Sequence, residues 1–329
     1  MFRERGVGLR PGATALSLLS TSLNLHVLKA LEDENLPLAE LNRAVGHPPA
    51  TTMRAYLKAL TDLGALERRQ EADFPGAVTY ALAEPGNKLL GVAAILQNWL
   101  ETAPDGPMAL GSPAAKSAIK TLVDGWNATI VRVLAARPFA LTELARLIPS
   151  ISYPTLERRI AAMRRVGLLE AQRDGSGSRG TPYKATRWLR QAAAPLTAGI
   201  AWERRWAPAQ TSMIGRIDVE ASFLLSIPLL ELPGDLSGCC RLAVEMRTLS
   251  RLEYAGAMVT VKGGRLASCT ARLRGEPDAW AAGTALDWFG WVNGHLDHQL
   301  DLGGDTPLAR SLLEALREVL LPVAHIQVS

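Results

Sequence analysis

The chain has 329 residues, 48% hydrophobic and 21% charged, with a formal net charge of +4. This composition excludes a disordered chain and leaves room for two or three domains, each with its own core. No run approaches eighteen apolar residues and no apolar stretch follows the charged start MFRERG, so neither a membrane span nor a secretory leader is expected and the expected location is cytoplasmic.

After a flexible N-terminus, 1–12, the first third (13–103) predicts a helix from Ala13 to Leu31, a helix from Leu38 to Val45 and a helix from Pro49 to Leu63. A hairpin from Ala65 to Leu82 and a last helix from Pro85 to Thr102 follow. Met53, Leu57, Leu60 and Leu63 form the apolar face of the third helix. Residues 104–115 lie in a stretch rich in Pro and Gly and read as a linker.

The second third, 116–208, carries the most informative stretch. Leu141, Leu144 and Ile148 mark one face of a short helix that Pro149 ends. Ser152 is placed to cap a second helix, with Pro154 in its first turn. On that helix Leu156, Ile160, Met163 and Gly167 share one face. At about 100° per residue Arg158 and Arg165 point away from this face, while Arg159 and Arg164 flank it. LLEAQR and TPYKATRW then predict the strands of a basic hairpin, with Arg173 and Arg179 in its Gly- and Ser-rich turn and Lys184 on its return. Arginines on one helix are by themselves an ordinary solvated face. Beside a helix-turn-helix and a basic hairpin they fit phosphate oxygens and guanine edges.

Charge follows the same division. Residues 1–115 hold ten basic and twelve acidic side chains, 116–210 sixteen and six, and 211–329 ten and fourteen. The positive field is thus confined to the middle third, where a nucleic-acid footprint is expected.

The first third repeats the second at an offset of 103 residues without a gap. Leu38-Ala-Glu-Leu41 aligns with Leu141-Thr-Glu-Leu144, Tyr80 with Tyr183 and Trp99 with Trp202. The exposed charges are not repeated: Arg158, Arg159, Arg164 and Arg165 align with Ala55, Tyr56, Thr61 and Asp62. Arg54, Lys58, Arg68 and Arg69 leave the first copy able to make weak phosphate contacts. Its simpler role is assembly, as a dimerisation partner within the chain.

The run LTELARLIPSISYPTLERRIAAMRRVGLLEAQ, with WNATIVRVL before it and TPYKAT after it, resembles the HxlR-type branch of the MarR-like winged-helix regulators. The resemblance extends from Lys116 to Trp206. It implies a transcription regulator that binds double-stranded DNA and dimerises through the first and last helices of the domain. The interface so implied is Ser152, Tyr153, Thr155, Arg158, Arg159, Arg164, Arg165, Arg173, Arg179 and Lys184.

From Arg216 onward SFLLSIPLLEL, CRLAVEM and YAGAMVTVKGGRLASCTARL predict strands, with Gly263-Gly264 as a two-residue hairpin turn. Helices are predicted from Asp278 to Gly294 and from Thr306 to Leu321. The hairpin, the Asp278-Ala279-Trp280 start and Gly304-Asp305 before the closing helix resemble a sterol-carrier-protein-type domain over 215–329. That resemblance implies a tunnel for apolar ligands. Single tryptophans are ordinary core, but their clustering makes an aromatic-lined cavity reasonable, from Phe223, Met246, Met258, Trp280, Trp288, Phe289 and Trp291.

His295, Asp297, His298 and Asp301 lack a metal-binding spacing, and Cys239, Cys240 and Cys269 have no CxxC pattern and read as reduced core residues. No metal, cofactor or catalytic constellation is expected, and hence no enzyme. The chain as a whole is α+β: two tandem winged helices and a sterol-carrier-like ligand domain. It reads as a one-component regulator modulated by an apolar or aromatic small molecule, and as a homodimer, because one strong reading head per chain needs a second. The alternative is a small-molecule carrier whose winged helices serve assembly only.

Overall fold

The computed structural model describes residues 10–70, 78–124, 127–172, 180–207, 213–247, 251–294 and 299–321. The elements run α1 (Ala13–Leu19), α2 (Ser22–Ala30), β1 (Leu36–Pro37), α3 (Leu38–Ala44), α4 (Ala50–Asp62), β2 (Leu66–Gln70), β3 (Val78–Leu82), α5 (Glu84–Glu101) and α6 (Pro113–Val123). Next come α7 (Asn127–Ala136), α8 (Leu141–Leu147), α9 (Tyr153–Arg165), β4 (Leu169–Ala171), β5 (Tyr183–Ala185), α10 (Arg187–Gln191) and α11 (Ala193–Trp206). The last part holds α12 (Arg216–Ser226), β6 (Gly238–Arg247), β7 (Leu252–Lys262), β8 (Arg265–Thr270), β9 (Ala279–Thr284), α13 (Ala285–Val292), β10 (Asp301–Gly304) and α14 (Thr306–Leu320). By packing, the chain divides into two compact units, Leu9–Val123 with Ala198–Ser212, and Asp124–Thr197 with Met213–Ser329.

The first unit contains a helix-turn-helix, α3 and α4, and a sheet in the order β1-β3-β2. The single helix expected over 13–31 is two helices. The Ser20 and Thr21 hydroxyls turn back to donate to the Ser17 carbonyl, and Thr21 takes an extended conformation. Such side-chain bonds compete with the helical ladder and end α1 early. α6 begins at Pro113, inside the stretch expected as linker, and packs against α1.

The end of α11 closes this unit. The amides of Gly12, Thr14 and Ala15 donate to the Glu203 carboxylate at 2.7, 2.6 and 3.0 Å. Glu203 is 1% exposed and serves as the cap that α1's own N-cap residue, Gly12, has no side chain to supply. Burial pushes its carboxyl up, against the amides that hold it down. Next to it the Trp202 indole donates to the Pro85 carbonyl at 2.8 Å.

In the second unit α8 and α9 are followed by the β4–β5 ladder, and a five-stranded sheet in the order β10-β9-β6-β7-β8 comes after them. β6 and β9 are parallel and the other neighbours antiparallel. Gly263 and Gly264 have φ of 55° and 70°, the left-handed pair that a tight β7–β8 turn requires.

Two sequence expectations are corrected here. SFLLSIPLLEL is not a strand: residues to Ser226 belong to helix α12 and Ile227–Leu229 form a 3-10 turn. α12 is buried on nearly every side, between α7 and α10 on one hand and β7 on the other, so its sequence shows no polar stripe to mark the helical period. The helix expected from Asp278 starts only at Ala285. Ala279 to Thr284 alternate buried and open as a strand, and the Thr284 hydroxyl caps α13 by accepting the Asp287 amide while Asp287 accepts the Thr284 amide.

Helix α12 ties the sheet to α7 and α10. Its Glu220, 1% exposed, accepts from Arg132 of α7 and from Arg216 one turn earlier. Arg190 of α10 donates to the Leu224 carbonyl of α12 at 2.9 Å and to the Ala135 carbonyl of α7 at 3.2 Å.

Candidate nucleic-acid interface

The pair α8 and α9 is set by local chemistry. Glu143 accepts the Ala140 amide at 2.8 Å, which caps the start of α8. Ile148 and Ile151 are buried in the turn. Ser152 holds the N-cap position of α9, but its hydroxyl donates to Thr155 Oγ1 at 2.9 Å and accepts no backbone amide, contrary to the expected cap. Leu156, Ile160 and Met163 are buried. Gly167, expected on that face, is instead the left-handed residue that ends α9, with φ of 80° and the Leu168 amide donating back to Met163.

The opposite face is open. Arg158 and Arg165 are exposed and make no ion pair among the described residues, and Tyr153 is 46% exposed at the start of the helix. Thr155 is half-buried beside them. The two flanking arginines are engaged within the unit: Arg159 pairs with Asp124, and Arg164 lies over the Tyr183 ring at 5.4 Å. Lys184 pairs across the hairpin with Glu170 at 3.1 Å. A cation already paired contributes less to phosphate binding, because its partner must be given up first. Arg173 and Arg179 lie outside the described residues.

The carboxylates Asp124 and Glu170 were not singled out in the sequence. Glu170 was findable, since it faces Lys184 in the expected hairpin, but nothing local connects Asp124 with Arg159.

The first helix-turn-helix offers a different surface. Its buried residues Met53, Leu57 and Leu60 repeat those of α9, and Leu63 is half-buried. Of the four cations singled out in this segment, Lys58 pairs with Asp62 and Arg69 with Glu67, while Arg54 and Arg68 are exposed.

Residues 18–105 match the HxlR-like helix-turn-helix family. This is a family of transcription regulators. The HxlR-like match thus falls on α2 to α5, whereas the residues that carried the resemblance in the sequence lie between 116 and 206. Placed 103 residues apart, α3 and α8 have the same bounds, as do α4 and α9. The HxlR-like segment pairs Leu36 with Tyr80, and Phe139 bridges Tyr183, at positions 103 residues further on. No curated protein matches the chain.

The residues expected to line a ligand cavity are only partly brought together. Phe223 and Trp288 are buried edge to face, with ring centroids 5.2 Å apart, and Trp291 continues the series 6.1 Å from Trp288. The Trp288 indole donates to the Ala243 carbonyl at 2.9 Å. Phe289 and Met246 are half-buried and Met258 is buried. Trp280 is 37% exposed, pairs across strands with Gly303 and lies over that glycine. By register Trp280 and Met258 share the sheet face of Arg241, and Met246 lies on the other face with Leu242 and Val244.

Among the described residues no group of three side chains is placed to hold a metal ion, and no helix is long and apolar enough to cross a membrane. His295, Asp297 and His298 lie outside the described residues, and Asp301 begins β10.

Proposed function

We propose that the protein is a DNA-binding transcription regulator built from two HxlR-like winged helices paired within one chain, of which the second reads DNA. One observation carries this reading: α8 and α9 have the bounds of α3 and α4 of the HxlR-like segment 103 residues on, yet α9 exposes Arg158 and Arg165 where α4 has Ala55 and Asp62. A helix that buries one face and offers guanidinium groups on the other suits the major groove.

Intrachain pairing is supported by what fills the first unit. α1 and α6 stand at equivalent places in the two copies and pack on one another, and the end of α11 supplies Glu203 to α1 and Trp202 to the start of α5. The HxlR-type resemblance assigns dimerisation to these first and last helices, so their surfaces are used inside the chain. We therefore propose a monomeric pseudo-dimer on an asymmetric site in place of a two-fold homodimer.

The C-terminal sheet, with its sterol-carrier-like resemblance, is proposed as the sensor of an apolar or aromatic molecule near Phe223, Trp288 and Trp291. Glu220 and Arg190 give it a rigid link to the reading head. A ligand that bound every arrangement of that link equally would change nothing.

The test is a salt-dependent mobility shift with the full chain, followed by footprinting and light scattering. Arg158→Ala with Arg165→Ala should abolish specific binding and lower the salt slope by roughly two, while Arg54→Ala should matter less. A dimeric mass on DNA with a palindromic footprint would overturn the pseudo-dimer. Absence of any salt-dependent binding would leave a carrier whose winged helices only assemble it.

A further inference from the structure

Two large apolar side chains bracket the turn of the second helix-turn-helix. Leu147, the last residue of α8, is 53% exposed, and Tyr153, the first of α9, is 46% exposed. The turn between them buries both its isoleucines, Ile148 and Ile151 at 2% and 6%, so the segment is not short of core in which to hide apolar groups. The equivalent positions of the first copy are Ala44 and Ala50, both exposed. These places are therefore surface in either copy, and the bulk at them is a property of the copy that also presents Arg158 and Arg165.

An exposed leucine by itself needs no explanation. Here Tyr153 stands at the start of the second helix, which a helix-turn-helix brings against base edges, and Leu147 stands at the other end of the turn that leads into it. The only apolar group on the floor of the major groove is the C5 methyl of thymine. We propose that Leu147 and Tyr153 contact thymine methyl groups, so that the second winged helix selects A·T pairs beside the bases taken by its arginines. The inference rests on the proposed function. Arg164, on the same flank of α9 as Tyr153, lies over the Tyr183 ring of the hairpin, while Tyr153 itself stays 46% exposed.

The experiment starts from DNA enriched by the full-length protein from a random duplex pool. Each thymine of the enriched site is replaced in turn by uracil, which removes the methyl and nothing else. Burying one methyl corresponds to about a fourfold change in affinity, so one or two positions should weaken binding by about that factor. Leu147→Ala should abolish the sensitivity at one position and Tyr153→Ala at another, while Tyr153→Phe keeps it. Both side chains are exposed, and unchanged thermal melting of the variants confirms that their fold is intact. Affinity indifferent to uracil everywhere, with the Arg158→Ala and Arg165→Ala losses still present, overturns this inference alone and points to a protein partner over the pair. Failure to enrich any DNA overturns the inference and the proposed function together.

Discussion

Glu203→Gln tests the join between the two ends of the first unit. The wild-type carboxylate takes the Thr14 and Ala15 amides on Oε1 and the Gly12 amide on Oε2, at 2.6 to 3.0 Å. The amide variant keeps the volume and one carbonyl oxygen, so two of the three bonds survive. At the other atom an NH2 group faces the Gly12 N–H, donor against donor. Hydrogen bonds to charged groups contribute about 1.5 to 3 kcal/mol each, and the loss of one, partly offset by relief of the buried charge, amounts to about 2 kcal/mol. Urea unfolding should show a lower midpoint at unchanged slope, and hydrogen exchange should quicken at Gly12, Thr14 and Ala15.

The pH dependence has a definite sign. Because burial raises the folded carboxyl above its unfolded value, the fold binds the proton more tightly than the unfolded chain does. The stability of the wild type relative to Glu203→Gln is therefore greatest in acid and declines as pH rises through the elevated folded value. A variant within about 0.5 kcal/mol of wild type, with exchange at the three amides unchanged, would refute the role assigned to Glu203.

Arg132→Ala leaves the buried Glu220 on Arg216 alone and should cost about 2 kcal/mol in the second unit, measured by calorimetry; Arg216→Ala, whose side chain is 57% exposed, should cost less. Gly256→Ala should disrupt the β6–β7 ladder, since a Cβ there would stand 1.9 Å from the Leu242 carbonyl oxygen, and a loss of about 3 kcal/mol is expected by denaturant unfolding. Burial pushes the Cys240 and Cys269 thiols up to about 12, so iodoacetamide at pH 8 should leave both unlabelled by mass spectrometry until the chain is unfolded.

Much of the local order was legible because its signals are local. The expected helices starting at Leu38 and Leu141 begin there, Gly263 and Gly264 turn the β7–β8 hairpin, and the offset of 103 carries over to the bounds of α3 and α8 and of α4 and α9. A helix that buries one stripe, or a turn that needs positive φ, is written in a few neighbouring residues. Tertiary structure decided the rest. α12 is a helix packed against α7, α10 and β7, and burial on nearly every side erases the period that would have distinguished it from a strand. Residues 279–284 are a strand because β6 and β10 receive them, which places Trp280 over Gly303 and away from the Phe223–Trp288 contact. The angle around the helix set Arg159 at the flank of the buried face and Arg158 opposite to it, but only the fold brings Asp124, 35 positions away in the chain, to Arg159 and leaves Arg158 exposed. Glu203 and Gly12 are 191 positions apart in the chain, and no pattern shorter than the fold itself could have joined them.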